Sequence, residues 1–336
     1  MRILSGVQPS GKLHLGNYFG AIRQFVALQE KGESLYFIAD LHALTTVQDG
    51  ARLRELTTDV ALDFLALGLD PARAILFKQS DLPEVTELAW LLSVVTPMGL
   101  LERATSYKDK VAQGIPASHG VFAYPVLMAA DILIYGADRV PVGKDQSQHL
   151  EMTRDMAAKF NSAFVPGYDP QDPTGEKSGA PGILKLPEPY ITEDAAVVPG
   201  VDGRKMSKSY GNAIEMFMDD APLKKRIMGI QTDSTPVEAP KNPDATPIFA
   251  LLKLFASPTE LAEIERSFQE GGWGYGKYKQ RLLELFHERL DPARARRKQL
   301  EKDPGEVQRI LRDGAERARE LAGPIMAAVR KATGLS

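Results

Sequence analysis

Met1-Arg2-Ile3-Leu4-Ser5-Gly6-Val7-Gln8-Pro9-Ser10-Gly11-Lys12-Leu13-His14-Leu15-Gly16-Asn17 decides the architecture. Residues 2–7 read as a short β-strand, and the chain breaks at Pro9 and Gly11. From Asn17 to Lys31 the apolar residues Phe19, Ile22, Phe25, Val26 and Leu28 recur at helical period. A strand that passes through a glycine turn into a helix opens a parallel α/β unit. The pattern repeats: Leu35–Ala39 is the near-continuous apolar run of a buried parallel strand. Leu53–Leu67 is helical, Ala74–Phe77 strand-like, and Val85–Val95 helical up to Pro97. A Rossmann-like parallel sheet with helices on both faces follows.

Further along, Val140-Pro141-Val142-Gly143-Lys144-Asp145-Gln146 reads as a fourth strand running into a helix. Residues 163–203 are rich in Pro, Gly and Asp, with a short extended pair expected at Tyr190-Ile191 and Ala196-Val197-Val198. From Ala213 onward apolar stripes at Leu251–Phe255, Leu261–Phe268, Tyr278–Leu290, Val307–Leu311 and Ala315–Val329 predict a mainly α-helical region. The expected division is therefore 1–210, an α/β domain, and 211–336, a helical domain.

The chain of 336 residues is long enough for two domains and a large core. It has no cysteine, which excludes disulfides, thiolate catalysis and sulfur-ligated zinc. The start of the chain carries no secretory signal pattern, and Val121–Tyr135, its most apolar segment, is interrupted by Pro125 and Asp131. A cytoplasmic protein with no membrane partner is expected. A net charge of −3 excludes a generally basic nucleic-acid coat. Residues 281–336 nonetheless hold 13 Lys and Arg against 9 Asp and Glu, densest at Arg294, Arg296, Arg297 and Lys298. Such a run is either a solvated helix face or a phosphate-binding patch.

Sheets of this kind bind ligands beyond the carboxyl ends of their strands. The chemistry-bearing residues fall there: Gln8 to Asn17 after the first strand, Asp40 and His42 after the second, Gln79 and Ser80 after the third. Gly11 and Gly16 let backbone approach a ligand closely. Asn17 can start a helix, where free N–H groups favour an anion, and His14 can donate to a phosphoryl oxygen. Neither a Walker loop nor G-x-G-x-x-G is present. A second loop, Gly203-Arg204-Lys205-Met206-Ser207-Lys208-Ser209, sets two ammonium groups between Gly203 and Gly211. Positive charge there acts best on charge that develops in a transition state. Together the loops suit a clamp on a triphosphate.

His14-Leu15-Gly16-Asn17 resembles the HIGH motif of class I aminoacyl-tRNA synthetases, with Leu15 for Ile and Asn17 for the final His. Lys205 to Ser209 matches their KMSKS motif letter for letter. Ser5–Gly11, Met128-Ala129-Ala130-Asp131-Ile132-Leu133 and Val140–Gln146 extend the likeness to the tryptophan enzymes of bacteria over nearly the whole chain.

That resemblance implies activation of L-tryptophan by ATP, with Mg²⁺ on the triphosphate, and transfer to tRNA(Trp) by a homodimer. It implies catalytic roles for His14, Asn17, Lys205 and Lys208. Nucleotide contacts are expected at Gln8, Ser10, Gly11, Gly16, Gly143, Asp145, Met206 and Ser207, with no dedicated metal cage. Tyr124, Met128 and Asp131 share one helix face. Asp131, in an apolar stripe, needs a partner if buried, and the resemblance makes that partner an indole N–H. Met128, Leu4, Val140 and Val142 would line the slot, and Tyr124 and Gln146 would address the amino acid's charged ends. Anticodon recognition is expected in the helical region, with phosphate contacts at Arg294, Arg296, Arg297 and Lys298 and base stacking open to Trp273 or Tyr275. No large insertion makes room for an editing domain. Three other readings stay open: a tyrosine enzyme, a small-molecule nucleotidyltransferase, and a non-catalytic RNA-binding paralogue. Leu4, where tyrosine enzymes generally carry a tyrosine, speaks against the first.

Overall fold

The structure, a computed structural model, describes residues 1–104, 107, 108, 112, 114, 118–142, 147–191 and 197–335, with backbone alone at Val142 and Ile191. Among the described residues five parallel strands form the sheet: β1 (Arg2–Val7), β2 (Glu33–Ile38), β3 (Ala74–Lys78), β4 (Arg139–Val142) and β5 (Glu188–Ile191), in the order β3-β2-β1-β4-β5. β1 and β2 pair over their whole length, Arg2 opposite Glu33 through Val7 opposite Ile38. Sequence order reverses direction between β1 and β4, and this is where open α/β sheets hold ligands.

Both sheet faces are covered. Tyr36, Ile38 and Leu76 point into one hydrophobic cluster; Leu35, Phe37, Ile75 and Phe77 point into the other. A two-sided strand has no polar face, which explains the unbroken apolar run of β2. Gly6 is required on β1, because a Cβ there would overlap the Phe37 ring.

After β1, helix α1 runs in three contiguous pieces, Leu15–Asn17, a π-helical turn Tyr18–Ile22, and Arg23–Leu28. There follow α2 (Asp40–Ala43), α3 (Gly50–Ala66), α4 (Glu84–Ser93), α5 (Met98–Glu102), α6 (His119–Leu133) and α7 (Ser147–Phe164). The later chain is helical: α8 (Asp220–Met228), α9 (Pro247–Phe255), α10 (Pro258–Glu270), α11 (Tyr275–Leu300) and α12 (Pro304–Thr333).

Three features depart from the sequence pattern. β5 pairs in parallel with β4, Val140 opposite Pro189, rather than with the following segment. Of that segment, Ala196 lies outside the described residues, and Val198 accepts a hydrogen bond from Met206 N (2.8 Å). α11 continues through Pro292, ten residues past the end of the apolar stripe at Leu290. The stripes at Val307–Leu311 and Ala315–Val329 belong to one helix, α12, which crosses back over edge strand β3. Gly314 touches the backbone of Leu76 so closely that a Cβ would overlap its carbonyl. Arg317 donates to Pro71 O (2.8 Å), and Arg330 Nε pairs with Glu87 Oε1 on α4 (2.7 Å). The small residues Gly314, Ala315, Ala318 and Ala322 allow this approach, and the helix covers an edge that would otherwise offer unpaired strand groups. No helix among the described residues is long and apolar enough to cross a membrane.

Candidate active site

The first loop is shaped by a reciprocal cap. His14 is the N-cap of α1: its Nδ1 accepts from Asn17 N (3.3 Å) while Asn17 Oδ1 accepts from His14 N (3.2 Å). The sequence expectation put Asn17 at the helix start; it stands three residues in, as the cap's partner. With Nδ1 engaged as an acceptor, the neutral imidazole carries its proton on Nε2, which is left to donate. The ring is held neutral. Desolvation, followed by the charge of Lys208, lowers its pKa from 6.5 to about 4. Gly16 is needed because a Cβ there would lie 2.9 Å from this imidazole.

The second loop closes on the first. Lys208 Nζ donates to Gly11 O at 2.9 Å. Gly11 adopts φ 125°, and the Lys208 side chain passes 3.4 Å from where its Cβ would stand. Desolvation against the first loop lowers the Lys208 pKa, although the loop itself is exposed. Backbone bonds join the loops further: Leu15 N to Ile214 O and Met216 N to Leu13 O, both 2.9 Å. Met206, expected at the nucleotide, is 4% exposed and sits in the hydrophobic core with Leu15 and Ile214. Its side chain anchors the loop from below, as a methionine between four polar residues must if the segment is to stay docked. Lys205 is exposed beside it, and Ser207 Oγ lies 2.8 Å from Ser209 Oγ. Gln8 and Ser10 are exposed at the end of β1.

Asp131 is buried, 1% exposed, on α6. Among the described residues its partners are a histidine and a glutamine, not a lysine or arginine. His42 Nε2 donates to its Oδ2 (2.9 Å), and Gln79 Nε2 reaches both oxygens at 2.9 Å. Gln79 Oε1 in turn accepts from Leu41 N (3.1 Å) and His42 N (3.3 Å). Burial raises the Asp131 pKa, and the bond from His42 opposes it. These contacts occupy three of the roughly four lone-pair directions of a carboxylate and leave one on Oδ1. Leu4 and Val140 are buried in the same cluster, Met128 packs on it, and Tyr124 Oη hydrogen-bonds His149 Nε2 (2.8 Å). Gly143, Asp145 and Gln146 lie outside the described residues, as does the side chain of Val142.

His42 and Gln79 were legible as strand-end residues but not as partners of Asp131, because the pairing spans three elements. Asn212, which holds the second loop, carried no sequence signal at all.

In the basic run of α11, Arg294 and Arg297 are half-buried while Arg296 and Lys298 are exposed, and Arg297 lines a small cavity with Lys12 and Leu13 of the first loop. Arg294 donates to Met218 O and Asp220 Oδ1, both 2.6 Å. Arg296 Nε donates to Leu65 O (3.0 Å), and Arg297 joins Asp63 (2.6 Å), Asp59 (2.7 Å) and Glu301. Arg294 and Arg297 thus tie α11 to α8 and α3, and Arg296 adds one bond to α3 while staying exposed, as Lys298 does. A one-dimensional run of cations does not reveal which carboxylates fold against it. Trp273 packs under Lys277, whose Nζ is 3.4 Å from the ring centroid, and Tyr275 Oη donates to Asp233 Oδ1 (3.0 Å).

With these two sites on one sheet edge, comparison with known families is decisive. Residues 1–291 match the family model of the class I tRNA synthetases for tryptophan and tyrosine (W and Y). The chain belongs to that family. Within it, the tryptophan–tRNA ligase of Rhodopirellula baltica is 50% identical over 335 residues, covering 100% of both chains. That of Fusobacterium nucleatum is 51% identical over 321 residues, covering 96% of this chain and 94% of the relative. A crystal structure of tryptophanyl-tRNA synthetase from Campylobacter jejuni complexed with ADP and tryptophan is 47% identical, with TM-score 0.90 and 100% of both chains covered. The parallel sheet with its helical C-terminal region is thus the fold of this class I synthetase family.

Proposed function

We propose that this chain is a tryptophan–tRNA ligase that makes tryptophanyl-adenylate and pyrophosphate from L-tryptophan and ATP, then transfers tryptophan to tRNA(Trp). The observation that supports the proposal is the contact of Lys208 Nζ with Gly11 O, which brings the two signature loops together. The tryptophan carboxylate attacks the α-phosphorus and pyrophosphate leaves. The nucleophile is already ionised, so no protein base is needed, and the protein contributes alignment and charge. His14 donates Nε2–H to the phosphate chain, and Asn17 keeps it in that tautomer. Lys205 and Lys208 face the oxygens on which charge grows as pyrophosphate departs. Gln8, Ser10, Gly11, Gly16 and Ser207, with Gly143 and Asp145, form the nucleotide contacts.

Among the described residues no three His, Asp or Glu side chains converge as a metal cage. Mg²⁺ bound with the triphosphate would offset its negative charge and help pyrophosphate leave.

Asp131, its geometry set by His42 and Gln79, accepts the indole N–H on its remaining Oδ1 direction. Leu4, Met128 and Val140, with Val142, bound the ring, while Tyr124 and Gln146 address the ammonium and carboxylate. A buried acid left by phenylalanine with one acceptor direction unfilled discriminates against it, which makes a separate editing site unnecessary.

The α/β part, 1–210, performs activation, and the helical region from 211 on recognises the tRNA anticodon, with Arg296 and Lys298 as exposed phosphate contacts. The homodimer is supported by an exposed apolar surface on α4 and α5, where Trp90 is 70%, Val94 59% and Met98 62% exposed. The cytoplasm, where tRNA is charged, is its proposed location.

The test is pyrophosphate exchange into ATP with each of the twenty amino acids, followed by charging of tRNA. Exchange dependent on tryptophan and far weaker with tyrosine is expected. Equal exchange with both removes the substrate assignment, and absence of exchange with all twenty amino acids removes the synthetase reading in favour of a nucleotidyltransferase or a non-catalytic RNA-binding paralogue.

A further inference from the structure

We infer that Asn212 is the positioning residue of the second loop: its carboxamide is the hub that fixes where Lys205 and Lys208 stand relative to each other. The inference rests on the phosphate-clamp role of those lysines and goes beyond it by naming what presets them. Asn212 is 2% exposed. Its Oδ1 accepts from Ser207 N (2.8 Å), between the two lysines in sequence. Its Nδ2 donates to Lys205 O (3.2 Å) and to Asp202 Oδ1 (2.7 Å) at the loop's entrance. Its own carbonyl accepts from Val201 N (2.9 Å).

One short side chain thus touches the loop before the first lysine, at it, and just before the second. Aspartate matches it in size but cannot donate to Lys205 O or Asp202. Alanine reaches none of them. The fit is also close from behind, since a Cβ on Gly200 would overlap the Asn212 carboxamide. Asp202 is itself held in place, accepting from Arg204 N (3.1 Å) and Arg204 Nε (2.7 Å). Its ionised form is favoured by Asn212 first and by Arg204 after it. The loop needs this internal frame because its tip is exposed and its ends are glycines. Without the carboxamide, Met206 still anchors it in the core, but the backbone that aims the two ammonium groups is free to turn.

The experiment measures single-turnover adenylate formation with tryptophan and MgATP, alongside tryptophan affinity and thermal melting, for the full-length chain. The variants are Asn212→Asp, Gly200→Ala, the exchange pair Asp202→Asn with Asn212→Asp, and Lys208→Ala. Asn212→Asp is expected to slow adenylate formation about 100-fold, the usual cost of an ångström-scale misplacement, with tryptophan affinity kept. Gly200→Ala, which alters no hydrogen-bonding group but crowds the carboxamide, is expected to slow it in the same sense. The exchange pair restores one donor–acceptor contact at unchanged net charge and is expected to recover about tenfold over Asn212→Asp alone.

Normal adenylate formation in Asn212→Asp, with Lys208→Ala slow, overturns the inference and leaves the clamp intact. A normal rate in Lys208→Ala overturns the clamp and this inference with it. If Asn212→Asp fails to fold, the well-folded exchange pair or Gly200→Ala decides: full wild-type rate in Gly200→Ala refutes the hub. Loss of tryptophan affinity equal to the loss in rate also refutes it, because that is the signature of general damage rather than misplaced charge.

Discussion

Acidification is the perturbation that reads the His14 environment most sharply. Desolvation and the Lys208 charge lower its pKa from 6.5 to about 4 in the folded state. The unfolded chain takes up a proton as pH falls through 6.5, while the folded chain resists until about pH 4. Stability is therefore complete above pH 6.5 and declines between there and pH 4. A shift of this size corresponds to about 3 kcal/mol at most, and solvent screening of the exposed Lys208 charge trims this to about 2 kcal/mol. Two assays check it. Urea unfolding of the wild type and His14→Gln across pH 4–8 should give curves that approach each other by about 2 kcal/mol on the acid side. Proton NMR is more direct: the chain has only 5 histidines, so the resonance missing from His14→Gln identifies the ring. It should titrate near pH 4, and Lys208→Met should move that titration upward. A His14 midpoint near 6.5, unmoved by Lys208→Met, refutes both the tautomer argument and the contact between the loops.

Other expectations follow from the same contacts. Asp131→Ala should lower kcat/KM for tryptophan by at least about 100-fold in pyrophosphate exchange while ATP affinity holds; equal losses for both substrates contradict its placement in the amino-acid pocket. Gly314→Ala forces a methyl into the Leu76 carbonyl, and should cost about 1–3 kcal/mol, seen as a lower melting temperature with kcat unchanged once the protein is folded. Arg297→Met strands Asp63, which is 3% exposed, and should destabilise by about 3–5 kcal/mol. The salt dependence of tRNA binding should stay as it was, whereas a true phosphate contact would reduce its slope by about one.

The catalytic half was legible because its signals are contiguous. A strand, a glycine turn and a capped helix lie within residues 2–28, and β2 shows both buried faces in its own composition. That the two loops meet was legible from their complementary chemistry at sites where parallel sheets hold ligands. What the sequence hid depends on distant partners. Asp131 is organised by His42 and Gln79 from two other strand ends. Arg294, Arg296 and Arg297 meet carboxylates and carbonyls on α3 and α8, which no local charge count anticipates. β5 chose β4 across the intervening helix α7, and α12 returned to the sheet because its small residues fit the backbone of β3. Asn212 looked like any loop asparagine until the loop was folded around it.

The central claim is that residues from two distant loops act on one bound ATP. A double-mutant cycle on single-turnover adenylate formation, with His14→Gln, Lys208→Ala and the pair together, tests it most directly. Side chains that share one phosphate chain should give a coupling energy of at least about 1 kcal/mol, the pair losing less than the two single losses combined. Strict additivity within about 0.5 kcal/mol, the behaviour of well-separated positions, would contradict the account.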